Sequence, residues 1–327
     1  MSASFRPPER ERGAALLSVL LLVAVMAVIA ALMLDRLNLA VRLAGNGQAM
    51  TQARLYATSA ETLAMARLKV LVDADPSRTV DPGGMLGRDF VMPMARGSVT
   101  ARIDDAGNCF NVNSLVVRRQ DDSYALRLAG LMQLRALMES LAIARNEAIP
   151  LSDAMADWID SDSIPAPNGA EDDWYHAQEV PHLTAGRPIG DVSELRSVKG
   201  MTPALYQRLR PWLCALPAAE LSPIDLNTLR SDQAPLLSML APEAMPPGRA
   251  AAIIAARPAT GYGSVQDALG AVLPGEAAGQ VRVSSRWFLL TQTVRVDSVS
   301  LESQSLIDTG VQPPRVAFRS WGGQDSR

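Results

Sequence analysis

"RERGAALLSVLLLVAVMAVIAALMLDR", residues 10–36, decides how the rest of the chain is read. From Ala14 to Leu34 the stretch carries no charge, and it follows directly on a glycine and a knot of arginines. At 1.5 Å per helical residue the run reaches about 31 Å, which matches a bilayer core of roughly 30 Å and exceeds the apolar region of a removable secretory signal. It is long enough to span. Arg6, Arg10 and Arg12 precede it and Asp35 follows, so the charge bias keeps the short N-terminus in the cytoplasm and sends everything after Leu34 across the membrane.

The junction Arg12-Gly13, followed by Ala14-Ala15-Leu16-Leu17, resembles the site cut by a prepilin peptidase, as in type IV pilins and pseudopilins. Cleavage between Gly13 and Ala14 would leave the apolar helix attached to the mature chain. Arg-Gly ahead of an apolar helix also occurs in plain single-span anchors, and the junction by itself does not separate the two. The fifth residue after the cut is Ser18, where most pilins carry a glutamate. In pilins that carboxylate answers the free amine of a neighbouring subunit, because an unpaired charge in a membrane or fibre core is expensive. A subunit with serine there is expected to sit poorly beneath another.

The 327 residues hold 31 Lys plus Arg against 34 Asp plus Glu, a balance that recommends no nucleic-acid partner. The chain beyond the span is long enough for two domains with real cores. Cys109 and Cys214 are the two cysteines, too few for a metal cluster. They could be joined outside the cytoplasm or be two buried thiols.

From Asp35 to Val72, apolar residues including Leu37, Val41, Leu55, Ala60, Leu63, Met65, Leu68 and Leu71 recur at three- and four-residue steps, which predicts an amphipathic helix continuing the span. Gly45 and Gly47 are candidate kinks. A coiled-coil stalk is disfavoured because no heptad is sustained. Residues 73–89 read as loop from their Pro and Gly, and residues 97–115 as a hairpin turning at Asp104 to Asn108. Alternation returns at residues 286–308 and in "RVAFRS", residues 315–320. The strands bracket a helical middle.

Within that middle, Leu126 to Leu141 and Asp153 to Ile159 mark helices. Asp191-Val-Ser-Glu194 resembles a capping box, and Thr202-Pro203 after Gly200 stops one helix and starts the next. Ser264-Val-Gln-Asp267 opens a further element. Paired short helices around a glycine turn raise the alternative of a membrane-tethered helix-hairpin-helix protein for DNA binding or uptake. Against it, Thr202 stands where the second hairpin glycine would be, and Lys199, Arg208 and Arg210 are offset by Asp191 and Glu194.

"DWIDSDSIPAPNGAEDDWY", residues 157–175, is the most informative stretch of the middle. Between Leu151 and Val180 stand Asp153, Asp157, Asp160, Asp162, Glu171, Asp172, Asp173 and Glu179, and no Lys or Arg. Trp158, Ile159, Trp174 and Tyr175 interleave with them and pull the backbone into a fold that would bring the like charges together. Calcium would resolve the conflict, since it accepts 6 to 8 oxygen ligands in adaptable geometry; a solvated acidic loop is the competing reading. Asp160, Asp162, Glu171, Asp172 and Asp173 are the expected donors. The spacing is not that of an EF-hand, because Pro165 falls where its glycine is needed. His176 and His182 are the only histidines and no nucleophile motif is recognisable, so the expectation is a protein that is not an enzyme.

That stretch, followed by "GDVSELRSVKGMTPALYQRLRPWL" and then "DLNTL", resembles the protein K family of large minor pseudopilins of type II secretion. With the N-terminal cut site and helix, the likeness covers most of the chain. Ser18 in place of glutamate agrees with this subfamily. The resemblance implies an α+β protein: a long N-terminal helix and pilin-like antiparallel sheet, interrupted by a large all-helical, helix-hairpin-helix or SAM-like insertion. Residues 1–13 would be the leader, 14–34 the membrane helix, 35–120 the first pilin-like part, 121–280 the insertion with its calcium loop, and 281–327 the closing strands. It further implies processing by prepilin peptidase with methylation of the new amine, anchorage in the inner membrane, and a periplasmic C-terminal domain. The implied partners are minor pseudopilins I and J at the pseudopilus tip, major pseudopilin G and the inner-membrane assembly platform.

Overall fold

The computed structural model describes residues 9–270 and 273–322. Residues 1–8 of the expected leader and 323–327 of the expected closing segment lie outside the described residues. Helix α1 (Glu9–Ala74) runs without a break through Gly45 and Gly47, about 99 Å at 1.5 Å per residue. The Gly13–Ala14 junction falls inside it. The N-terminal part of α1 is long and apolar enough to cross a membrane, and none of it is buried.

The C-terminal half of α1 lies on a five-stranded antiparallel sheet of β1 (Asp89–Met94), β2 (Gly97–Asp105), β3 (Trp287–Val296), β4 (Val299–Asp308) and β5 (Arg315–Trp321). Spatial order follows chain order. The α1 face that touches the sheet overlaps the expected apolar set only in part: Ala49, Ala53, Ala57, Ala60, Ala64 and Leu68 are buried, while Leu37, Val41, Leu55 and Leu63 are exposed. Methyl-sized side chains let the helix backbone approach the sheet closely, and the volume is filled from the other side by Val99, Ile103, Phe288, Leu290, Val294 and Val296. Of the expected apolar residues, Ala60, Met65, Leu68 and Leu71 do meet the sheet's core and Leu55 and Leu63 do not, because periodicity alone gives weight to large side chains where the close approach needs alanine. Glu61, buried on α1, accepts from Ser305 Oγ at 2.6 Å and from Arg319 Nε at 2.9 Å and Nη2 at 2.5 Å. This charge-assisted fork ties the edge strand β5 to the helix.

The hairpin expected at 97–115 is also corrected. β2 pairs with β1, Met94 opposite Gly97, and the chain then leaves the sheet. Phe110–Asn111 instead runs parallel to Leu213–Cys214, inside the helical region. Buried side-chain amides explain the departure. Asn113 Nδ2 donates to Ile189 O and Leu216 O at 2.9 Å, and Asn111 Nδ2 donates to Ala218 O and Glu220 O at 2.9 Å. These amides satisfy loop backbone that a sheet would otherwise have to pair. The cysteines left open by the sequence form one disulfide, Cys109–Cys214, with Cα atoms 5.8 Å apart.

The sheet is therefore interrupted from Asp105 to Trp287, and the insertion is wider at both ends than residues 121–280. It has its own core, separate from the sheet's, in which α2 (Leu128–Ser140), α3 (Arg145–Asp157), α6 (Ala234–Ser238) and α7 (Pro247–Ala255) meet. Between them stand α4 (Asp172–His176) and α5 (Pro203–Leu209), and α8 (Val265–Leu269) closes the set. The expected caps form. Asp191 and Glu194 make a reciprocal box, Thr202 caps α5 with Pro203 in its first turn, and Ser264 caps α8.

The head has two distinct ends. The β3–β4 turn lies near the middle of α1, with Ser298 Oγ 3.4 Å from Asn46 Oδ1. The crossings to the insertion lie at the other end, beyond the last turn of α1, where Ser285 N donates to Thr79 Oγ1 at 2.8 Å. The insertion thus stands on the end of the head far from the apolar span.

Candidate functional site

The last turn of α3 and the residues after it bring Asp157 and Asp160 to one side, and the loop through Pro165 and Pro167 returns Glu171 against them. A carboxylate oxygen from each of these three residues lies within 4.8 Å of the others, and all three residues are buried. Asp157 is held in place, accepting from Ala166 N at 3.2 and 3.1 Å. Gly169 is required here, since a Cβ on it would sit 1.8 Å from Asp157 Oδ2. Asp160 Oδ1 and Glu171 Oε1 are buried with no hydrogen-bond partner. Orphaned buried acceptors of this kind are costly.

Burial pushes all three carboxyls up, and repulsion from neighbouring carboxylates adds to it. Asp157 is raised to about 6, Asp160 to about 7 and Glu171 to about 8. Among the described residues no ion pair includes any of them; the nearby Arg135 is taken by Asp153, whose other oxygen accepts from Asn168 Nδ2 at 3.0 Å. An aromatic wall closes one side. Trp158 and Trp174 meet Tyr175 edge to face at 5.1 and 4.9 Å, and Tyr175 Oη accepts from Lys199 N at 3.0 Å. Lys199 Nζ donates to Gly169 O at 2.8 Å.

Of the five expected donors, the structure brings together Asp160 and Glu171. Asp162 is exposed and accepts from Ile164 N at 3.0 Å, although its charge still helps to raise its three neighbours. Asp172 turns to Thr184, accepting from its N and Oγ1 at 2.8 Å, and these bonds lower its pKa. Asp173 is exposed on α4. Asp157 was the member that sequence reasoning left out of the donor set. The i, i+3 spacing of Asp157 and Asp160 on a continuing helical turn was the signal that could have found it. Three convergent oxygens, two of them unpartnered, with no nitrogen or sulfur donor in the group, suit a hard cation of the calcium type.

A long N-terminal helix half laid on an antiparallel sheet, with a helical domain inserted between two neighbouring strands and a carboxylate pocket inside that domain, defines a pilin-like subunit of the large, insertion-bearing class. Family models described as type II secretion system (T2SS), protein K, match residues 108–218 and 224–283, which together fill the interruption between β2 and β3. The chain is 36% identical over 320 residues to the type II secretion system protein K of Pectobacterium carotovorum, covering 96% of this chain and 97% of that one. To the protein of that name from Klebsiella pneumoniae it is 37% identical over 320 residues, with the same coverage. A chain in the crystal structure of the GspK-GspI-GspJ complex from enterotoxigenic Escherichia coli superposes with a TM-score of 0.73 at 29% identity, covering 85% of this chain and 99% of that one. The chain belongs to the type II secretion system protein K family. That membership favours the pseudopilin reading over a membrane-tethered DNA-binding protein.

Proposed function

We propose that this chain caps the tip of the periplasmic pseudopilus of type II secretion, in complex with minor pseudopilins I and J, and starts its assembly for the export of folded proteins. The observation that carries the reading is the position of the insertion: residues 106–286 occupy the membrane-distal end of the head, where the next subunit would have to stack. Ser18 points the same way. Its hydroxyl donates to Ala14 O at 3.1 Å within its own helix, so it offers no carboxylate to the amine of a subunit above. The solved complex of the structural neighbour with GspI and GspJ supports the choice of partners.

In this reading the apolar part of α1 spans the inner membrane, the head stands in the periplasm, and the major pseudopilin and assembly platform meet the chain from below. Calcium would be held by Asp157, Asp160 and Glu171, with Asp162 alongside; the ion supplies the positive charge that lets three buried carboxylates ionise together. Tyr175, Lys199 and Gly169 then hold the loop in its bound form.

Gold labelling of an epitope placed in the exposed 119–122 turn, on pseudopili assembled in cells, tests the position. Label at one end of each fibre is the expected result, and label along the shaft would refute it. Ser18→Glu adds a second reading: the variant is expected to be depleted from fibres, because its carboxylate lacks a partner in the membrane segment. Its appearance along the fibre in normal amounts would remove the argument from Ser18.

A further inference from the structure

The two crossings between sheet and insertion are joined by buried Asn108 and Asp225 and half-buried Asp105, Thr228 and Ser285, side chains that the tip reading does not use. Asp105 ends β2, Asp225 lies in a two-residue strand, Ile224–Asp225, paired with Val281–Arg282, and Ser285 precedes β3. Asp105 Oδ1 accepts from Gly107 N at 2.7 Å, and its Oδ2 accepts from the hydroxyls of Thr228 and Ser285. Ser285 Oγ also lies 2.7 Å from Asp225 Oδ2. Asn108 bridges the same strands, its Nδ2 donating to Thr228 Oγ1 at 2.9 Å and its Oδ1 accepting from Asp225 N at 2.9 Å.

The hydroxyl and amide hydrogens of this network are too few to satisfy both carboxylates when both are charged. Thr228 receives from Asn108, which leaves its own proton for Asp105. Ser285 has one hydroxyl proton and two carboxylate oxygens within reach. Whichever carboxylate it does not serve would face the lone pairs of the serine oxygen, unless that carboxyl carries a proton itself. The arrangement is complete with one added proton and incomplete with none.

We propose that Asp105, Ser285 and Asp225 form a proton-held latch that fastens the helical insertion to the pilin-like head, closed when the pair carries its proton and loosened when both carboxylates are charged. The remaining charges around the pair do not answer it. In the adjoining cleft Asp75 is paired with Arg78 and Arg286 with Asp308, at 2.7 Å in each case; Glu220 and Arg282 line the same cleft. Among the described residues no ion pair reaches Asp105 or Asp225. Burial raises both carboxyls, Asp225 to about 7. A folded-state value above the unfolded one means that the native state holds the proton more tightly. The latch's contribution is therefore full below the unfolded value of 3.8 and is lost as pH rises through about 7.

The test is the thermal midpoint of the full chain in detergent micelles, followed across pH 5–9, with calcium saturating so that the Asp157 pocket contributes no titration of its own. Wild type is expected to lose stability as pH rises through about 7. Asp225→Asn, whose amide donates to Ser285 as the protonated acid does, is expected to lose that slope. Equal slopes in the two proteins would overturn the latch. Should Asp225→Asn fail to fold, infrared spectra of wild type decide. A protonated-carboxyl band that disappears across the same pH range supports the latch, and the lack of such a band at the acidic end overturns it.

Discussion

Calcium binding at the Asp157, Asp160 and Glu171 pocket should tighten steeply as pH rises, and the structure sets the size of the effect. Unit charges 4.8 Å apart repel by about 3.5 kcal/mol at an effective dielectric constant near 20, so the empty pocket keeps protons. With the three carboxyls at about 6, 7 and 8, the empty pocket holds about one and a half protons at pH 7, and calcium must displace them. Between about pH 6 and about pH 8 the affinity should therefore rise by two to three orders of magnitude. Isothermal titration of the full chain in micelles, repeated in buffers of different ionisation enthalpy, measures both the affinity and the protons released. Stability follows with a definite sign. Raised native pKa values mean that the calcium-free protein loses stability as pH rises from about 4 to about 8, so the calcium-induced gain should grow over that window. At a hundredfold excess over Kd the gain is about 2.7 kcal/mol. Magnesium should achieve less, because it keeps its waters and demands a strict octahedron. Asp160→Asn should abolish the gain and Asp173→Ala should leave it intact. An affinity that stays flat with pH, or a midpoint that ionic-strength-matched sodium raises as much as calcium does, would refute the reasoning.

Three further outcomes are expected. Gly13→Leu should block maturation at Ala14, read from the intact mass of the membrane-extracted chain; a variant still beginning at Ala14 would end the processing claim. Cys109→Ser should destabilise the insertion by about 2–4 kcal/mol, since the bond closes a span of 105 residues, and the same loss should appear in wild type treated with a reductant and followed by urea unfolding. Ala57→Leu, at a position 1% exposed under the sheet, should cost about 1–3 kcal/mol by overpacking. Leu55→Ala, at a position 58% exposed, should stay within about 0.5 kcal/mol.

Local chemistry was legible in the residues themselves. The apolar run from Ala14 to Leu34 meets a bilayer's thickness by length alone, and the caps at Asp191, Thr202 and Ser264 form because each needs only its own next few residues. The alternation in β3 and β4 is visible for the same reason, a period of two within one strand. Three features depended on partners distant in the chain. Which small and large apolar side chains α1 turns inward depends on the sheet's bulk, much of which, from Phe288 to Val296, arrives more than two hundred positions later. The fate of Phe110 to Asn113 depends on the loop carbonyls between Ile189 and Glu220 that two asparagines satisfy, so a stretch that alternates like a strand leaves the sheet. In the acidic loop, composition announced too much negative charge in one place, yet Asp172 went to Thr184 and Asp157 took its place in the pocket. Sequence by itself determined that such a conflict had to exist; tertiary structure decided which carboxylates bear it, because burial and the pairing of each oxygen are properties of position in space.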